Sequence, residues 1–202
     1  MVRAALPDIA HQRMNHPYFS DRILREPLRE ALRTRQRIAA PAGGGHAAAV
    51  LIAMFERDDD VHLWMLRRPT GMRMHSGQVA FPGGKRDPED DSLLTTALRE
   101  AHEEIGLAPA SIDVLGALDD RVTSTGYTVT PYAAWVAGDA VLTPSPHEVA
   151  RVFAVPLRRF VDAAPLISRF SGYRIDGEFV WGATAAMARG LGVIVRGILK
   201  SA

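Results

Sequence analysis

The sequence of 202 residues predicts an α/β layered domain with a helical N-terminal arm. Three observations predict it. Strand-length apolar segments recur along the chain, a few helical segments are interleaved with them, and the stretch Ala40-Pro41-Ala42-Gly43-Gly44-Gly45 sets one leading helix apart from the rest of the chain. The division this implies is an arm over residues 1–40 and a domain over 41–202.

Residues 20–37 read as a helix because Ile23, Leu24, Leu28, Ala31 and Leu32 form an apolar stripe, with Pro27 marking a kink or a restart. The stripe has two fates, packing on the domain or joining a homodimer interface. Residues 46–56 and 61–67 read as strands joined by the turn Arg57-Asp58-Asp59-Asp60. A short strand over 78–81 ends in Pro82-Gly83-Gly84. Residues 92–105 make the clearest helix, stopped by Gly106. Strands come next near 112–118, 127–137 and 149–155, then a short helix near 157–163. Residues 172–181 suit a hairpin turning at Asp176-Gly177, and a last helix fills about 182–198 despite Gly190, Gly192 and Gly197.

Composition narrows the chemistry. The 24 basic and 23 acidic residues leave a formal charge of +1, so no global positive field attracts nucleic acid. The absence of cysteine excludes disulfides, thiolate nucleophiles, iron–sulfur clusters and cysteine-ligated zinc. No run is expected to reach the roughly 18 apolar residues of a membrane span, and the segment carrying Arg3, Asp8 and Arg13 lacks the apolar core of a secretory signal. The expectation is a cytoplasmic protein acting on a small molecule, with neither nucleic acid nor membrane as partner.

The helix at 92–105 carries the strongest chemical signal. Leu94, Leu98, Ala101 and Ile105 mark its expected buried face. Glu100, Glu103 and Glu104 fall within about 100° of arc beside or opposite that face. Like charges at these spacings cost about 0.2–0.5 kcal/mol per pair, and the helix dipole disfavours anions in a last turn. A solvated acidic surface is one reading. A bound divalent cation, which would reverse the repulsion, is the other, and all-oxygen ligands point to Mg²⁺ or Mn²⁺. Arg99 is placed to hold a neighbouring glutamate by a charge-assisted fork. Gly83 and Gly84 allow the backbone to approach a ligand or a helix closely.

Other motifs fail. Gly106 stands where a zincin helix needs its second histidine, Gly43–Gly45 lack the phosphate-loop Lys-Ser/Thr, and Ser76-Gly77 lacks the glycine spacing of a serine nucleophile elbow. Trp64, Trp135 and Trp181 lie in apolar segments that suit a core.

Residues 84–107, GKRDPEDDSLLTTALREAHEEIGL, resemble the Nudix box: Gly, five residues, Glu, seven residues, then Arg-Glu-apolar-any-Glu-Glu-any-Gly-apolar. Arg99, Glu100, Ala101, Glu103, Glu104, Gly106 and Leu107 match its second half. The first half is one residue longer and carries aspartates, so Asp87, Asp90 and Asp91 are alternative candidates for the role of the first box glutamate. The flanks resemble the coenzyme A pyrophosphatases of that family: Arg68, Arg73, Gly77 and Phe81-Pro82-Gly83-Gly84 keep their signature spacing. Trp64, Met65, Leu66 and Pro69 depart from it. Glu148 to Phe153, Val155-Pro156-Leu157 and Val180 to Ala185 also look like this subfamily.

The resemblance implies an α/β/α sandwich with a mixed sheet. It implies Mg²⁺ or Mn²⁺ on Glu100, Glu103 and Glu104, and a water activated there to attack a pyrophosphate. Glu100 is the first choice of general base and Glu148 the second; Arg99 positions the carboxylates. Arg68, Arg73, Gly83 and Gly84 would meet the substrate, with His75 and Lys85 nearby. The implied products are phosphopantetheine and adenosine 3′,5′-bisphosphate. ADP-ribose or NADH are the alternative substrates. A nucleotide sensor without activity is the reading from another class, and such a protein would be expected to lose the metal carboxylates.

Overall fold

Strand β1 (His46–Arg57) sets the architecture because it is buried on both faces. Ala48, Ile52 and Met54 enter one core, and Ala49, Leu51, Ala53 and Phe55 enter the other. This strict alternation turns a continuous apolar run into the centre of a sheet covered on both sides. The computed structural model describes residues 19–41, 45–71, 76–138, 140–163 and 172–201.

Around β1 stand β2 (Asp60–Arg67), antiparallel, and β7 (Tyr127–Val136), parallel from His46↔Tyr127 to Met54↔Trp135. The β1–β2 turn is tight: Arg57 pairs with Asp60, and Asp58 and Asp59 take φ of 53° and 58°, a left-handed pair that aspartate tolerates. Strand β3 (Val79–Ala80) and β8 (Arg151–Pro156) pair with β2, while β5 (Ile112–Ala117) and β6 (Arg121–Val122) pair with β7. Strand β4 (Gly83–Lys85) lies antiparallel on the first half of β1. The result is a mixed eight-stranded sheet. Strands β9 (Gly172–Ile175) and β10 (Glu178–Trp181) form the expected hairpin, with positive φ at Asp176 and Gly177.

Helices cover both faces. Helix α1 (Asp21–Thr34) buries Leu24, Leu28 and Leu32 in the same core as Ala185, Met187, Ala188, Leu191 and Val195 of α4 (Gly182–Ser201). The short α3 (Arg158–Val161) adds Phe160 and Val161. Helix α2 (Leu93–Ile105) lies on the opposite core. The α/β/α sandwich is therefore the observed fold.

Several expectations change in detail. The α1 stripe packs on the sheet, and Pro27 sits exposed inside a helix it does not break. Two salt bridges from α1, Arg25 and Arg29 to Asp113, clamp the helix to β5. Burial alone would raise the Asp113 pKa, but hydrogen bonds from both arginines hold it below the usual carboxylate value. Helix α4 runs to Ser201 and is long and apolar enough to match a membrane span, contrary to expectation. Its Ala185, Met187, Ala188, Leu191 and Val195 are buried in the core it shares with α1, while Val193 is exposed. Strands β4 and β6 are too short to show a two-residue period, so the sequence reading missed them.

Candidate active site

Helix α2 begins at Ser92, whose hydroxyl accepts from the Thr95 N–H at 3.1 Å, and ends at Gly106 with φ 74°. Its buried face is rotated from the expected one. Ala97, Ala101, Glu104 and Ile105 are buried, with Leu93 and Leu98 packed partly against them, and Leu94 is only partly covered. Ala97 and Ala101 lack bulk, so α2 lies close to β1. That rotation carries Glu104 into the core side of the helix at 2% exposure.

Strand β4 supplies the facing wall. The Gly83 N–H donates to Glu104 Oε2 at 2.8 Å, and Arg68 at the end of β2 pairs with Glu104 Oε1 at 3.1 Å while donating to the Gly83 carbonyl. Gly84 packs against Glu100: a Cβ there would lie 2.3 Å from Glu100 Oε1. No larger residue leaves that carboxylate its place.

Arg99 joins two sets of carboxylates. Its Nη1 donates to Glu100 Oε1 at 3.1 Å and Glu103 Oε2 at 2.9 Å. Its Nε and Nη2 fork onto Asp90 at 3.1 and 2.9 Å, and Nη2 also reaches the Lys85 carbonyl. Asp90 is 4% exposed and accepts further from the Asp87 N–H and the Thr96 hydroxyl. Among the three aspartates left open by the sequence, Asp90 is thus the buried anchor of Arg99. Asp87 approaches Arg99 only at 3.5 Å with a half-exposed side chain, and Asp91 is exposed. Thr96 was missed; a threonine six residues after a buried aspartate, in a first helical turn, is its only sequence signal.

The electrostatics divide accordingly. The Arg99 fork holds Asp90 far below the usual carboxylate range. Burial pushes Glu104 up to about 7, against Arg68 and the Gly83 N–H and with help from Glu100 and Glu148. Burial also raises Glu100, against the pull of Arg99. Exposed Glu148 is carried close by the segment that caps α2, in which Thr143 and Ser145 donate to the Ile105 and Glu104 carbonyls. The fold therefore gathers Arg68, Gly83, Gly84, Arg99, Glu100, Glu103 and Glu104, with Glu148 at the edge. Arg73 and His75 lie outside the described residues. Of the three tryptophans expected in the core, Trp135 is buried, Trp64 is partly buried and stacks on Phe55 at 4.2 Å, and Trp181 is only partly buried.

The donor set fits a hard divalent cation. Three carboxylates crowd one helix end, two are raised by burial, and Gly84 leaves a cradle against Glu100 that a Cβ would fill. As they stand, no three acidic or histidine side chains among the described residues converge on one point. Arg99 Nη1 bridges Glu100 and Glu103, while Arg68 holds Glu104.

A NUDIX domain family model matches residues 45–170. A Yersinia enterocolitica relative, named uncharacterized Nudix hydrolase NudL, is 38% identical over 164 residues, covering 74% of this chain and 82% of its own length. A Yersinia pestis relative of the same name is 38% identical over 158 residues, covering 71% and 77%. Two solved structures share the fold: the M. smegmatis Nudix hydrolase RenU (20% identity, TM-score 0.55, 80% of this chain and 90% of that one) and a NUDIX hydrolase from Alicyclobacillus acidocaldarius (21%, 0.52, 80% and 98%). The chain belongs to the Nudix family, whose hydrolases act on nucleoside diphosphate derivatives and generally use divalent metal ions.

Proposed function

We propose that this Nudix hydrolase cleaves the pyrophosphate of coenzyme A or acyl-coenzyme A, giving (acyl-)phosphopantetheine and adenosine 3′,5′-bisphosphate. The observation that carries hydrolysis is the end of α2, where Glu100 and Glu104 face the Gly83-Gly84 strand and Glu103 joins Glu100 through Arg99. These glutamates would hold Mg²⁺ or Mn²⁺. Such a cation offsets pyrophosphate charge and acidifies a water when bound.

The residues of this chain do the rest. Asp90 fixes Arg99, and Arg99 orients Glu100 and Glu103. Glu100 accepts the proton of the attacking water, with Glu148 as the second candidate. Gly83 and Gly84 keep the strand backbone open to the substrate. Arg68 offsets the charge of Glu104 and borders the phosphates. The spacing of Arg68, Arg73, Gly77 and Phe81 to Gly84 supports coenzyme A as substrate.

A second reading, ADP-ribose or NADH as substrate, is favoured by one observation: Arg68 is committed to Glu104 and Gly83, so it is not a free cation for the 3′-phosphate. Retention of all three glutamates argues against a sensor. The test is hydrolysis of coenzyme A, ADP-ribose and NADH side by side, with Mg²⁺, Mn²⁺ or EDTA and products resolved by mass. Metal-dependent release of phosphopantetheine at the highest kcat/KM is expected. Preference for either other substrate would overturn the coenzyme A assignment.

A further inference from the structure

A basic cavity lies on the side of the sheet away from α2. It holds about 340 Å³ between the end of α1, the segment 118–121 and the middle of α4. Leu118 and Met187 in its wall belong to the core shared by α1 and α4, and neither belongs to the core beneath α2. The cavity is therefore separate from the glutamate site.

Arg35, Arg121 and Arg189 line it, and their charge is poorly matched from within. Asp119, its acidic side chain, is engaged by Arg35 Nη1 at 2.6 Å and by the Ile38 N–H at 2.9 Å. Arg35 Nε, Arg121 Nε and Arg189 Nη1 are buried nitrogens without a hydrogen-bond partner. Neither Arg121 nor Arg189 forms a salt bridge among the described residues. Gly190 makes room for one of them, since a Cβ there would touch Arg121 Nη2 at 3.5 Å. Three like charges around one cavity repel one another, and one aspartate offsets only part of them.

We propose that this cavity binds a phosphomonoester with a small apolar part. Three arginines against one aspartate leave two positive charges, which a dianion neutralises. Planar guanidinium forks suit phosphate oxygens, and the Leu118 and Met187 walls suit the apolar part. The volume falls in the range of small-ligand pockets. The ligand would tie α1, β6 and α4 together.

The test uses the full chain in EDTA, titrated with phenyl phosphate and, for comparison, with benzoate. The methyl resonance of ¹³C-labelled Met187 and the Nε resonances of the arginines report binding. Phenyl phosphate is expected to shift Met187 saturably and to bind roughly tenfold tighter than benzoate. Arg121→Gln and Arg189→Gln should each weaken it roughly tenfold, the loss expected for a charged hydrogen bond. Both variants should keep hydrolase activity and, without ligand, melt no lower than the wild type. Failure of Met187 to shift in the wild type, equal affinity for benzoate, or unchanged affinity in a folded variant overturns the proposal.

Discussion

At the start of α2, Asp90 is 4% exposed and accepts four hydrogen bonds, from Asp87, Thr96 and twice from Arg99. At its end, Glu104 is 2% exposed, meets one N–H and one arginine, and feels the charges of Glu100 and Glu148. The first carboxylate is complete, and its ionised form is strongly favoured. The second is pushed up to about 7. Both carboxylates are shielded from water, but Glu104 lies far deeper in the protein: desolvation dominates there, whereas donors dominate at Asp90. The start of the helix is a finished structural clasp. At the end three glutamates share Arg68 and an Arg99 already forked onto Asp90, and a cation would supply the missing positive charge.

The contrast can be broken from either side. The largest effect belongs to the helix end: Glu100→Gln should lower kcat by about 10²–10⁴-fold, the range for a general base, with little change in melting temperature. Steady-state kinetics beside a thermal melt checks both halves. Gly84→Ala should come second. Its Cβ would displace the Glu100 carboxylate, and misplacement by about 1 Å costs on the order of 10²-fold. An unchanged kcat would show that the cradle is irrelevant.

Asp90→Asn should act mainly on stability, by about 2 kcal/mol, since it weakens charged hydrogen bonds to Arg99. The lowered Asp90 pKa sets the sign with pH. Its stabilisation is full above the unfolded value of about 3.9 and is lost as pH falls toward the folded value. Denaturant melts of wild type and variant should therefore differ most near neutrality and converge in acid. A constant gap at all pH values would assign the effect to shape.

Much of the sandwich was legible because its strands carry long apolar runs and its hairpins carry Asp and Gly at the turns. The short β4 and β6 were not, since two or three residues show no period. The site glutamates stood out by clustering against the dipole. Their orientation did only in part: Ala101 and Ile105 are buried as expected, but Leu94 drew the expected face away from Ala97 and Glu104, because hydrophobicity scales overlook a small-residue face that allows close approach. Nor could spacing choose among Asp87, Asp90 and Asp91; only burial against Thr96 and Arg99 does so.

The central claim, that the end of α2 is built for a divalent cation, is tested most directly by thermal unfolding with and without Mn²⁺, comparing wild type with Glu104→Gln. In EDTA the variant should be at least as stable as wild type, because it removes a poorly compensated buried carboxylate. Mn²⁺ at about 100 times its Kd should raise the wild-type Tm by about 5–10 °C and the variant's far less. A variant that is weaker in EDTA yet keeps the full rise with Mn²⁺ would contradict the account.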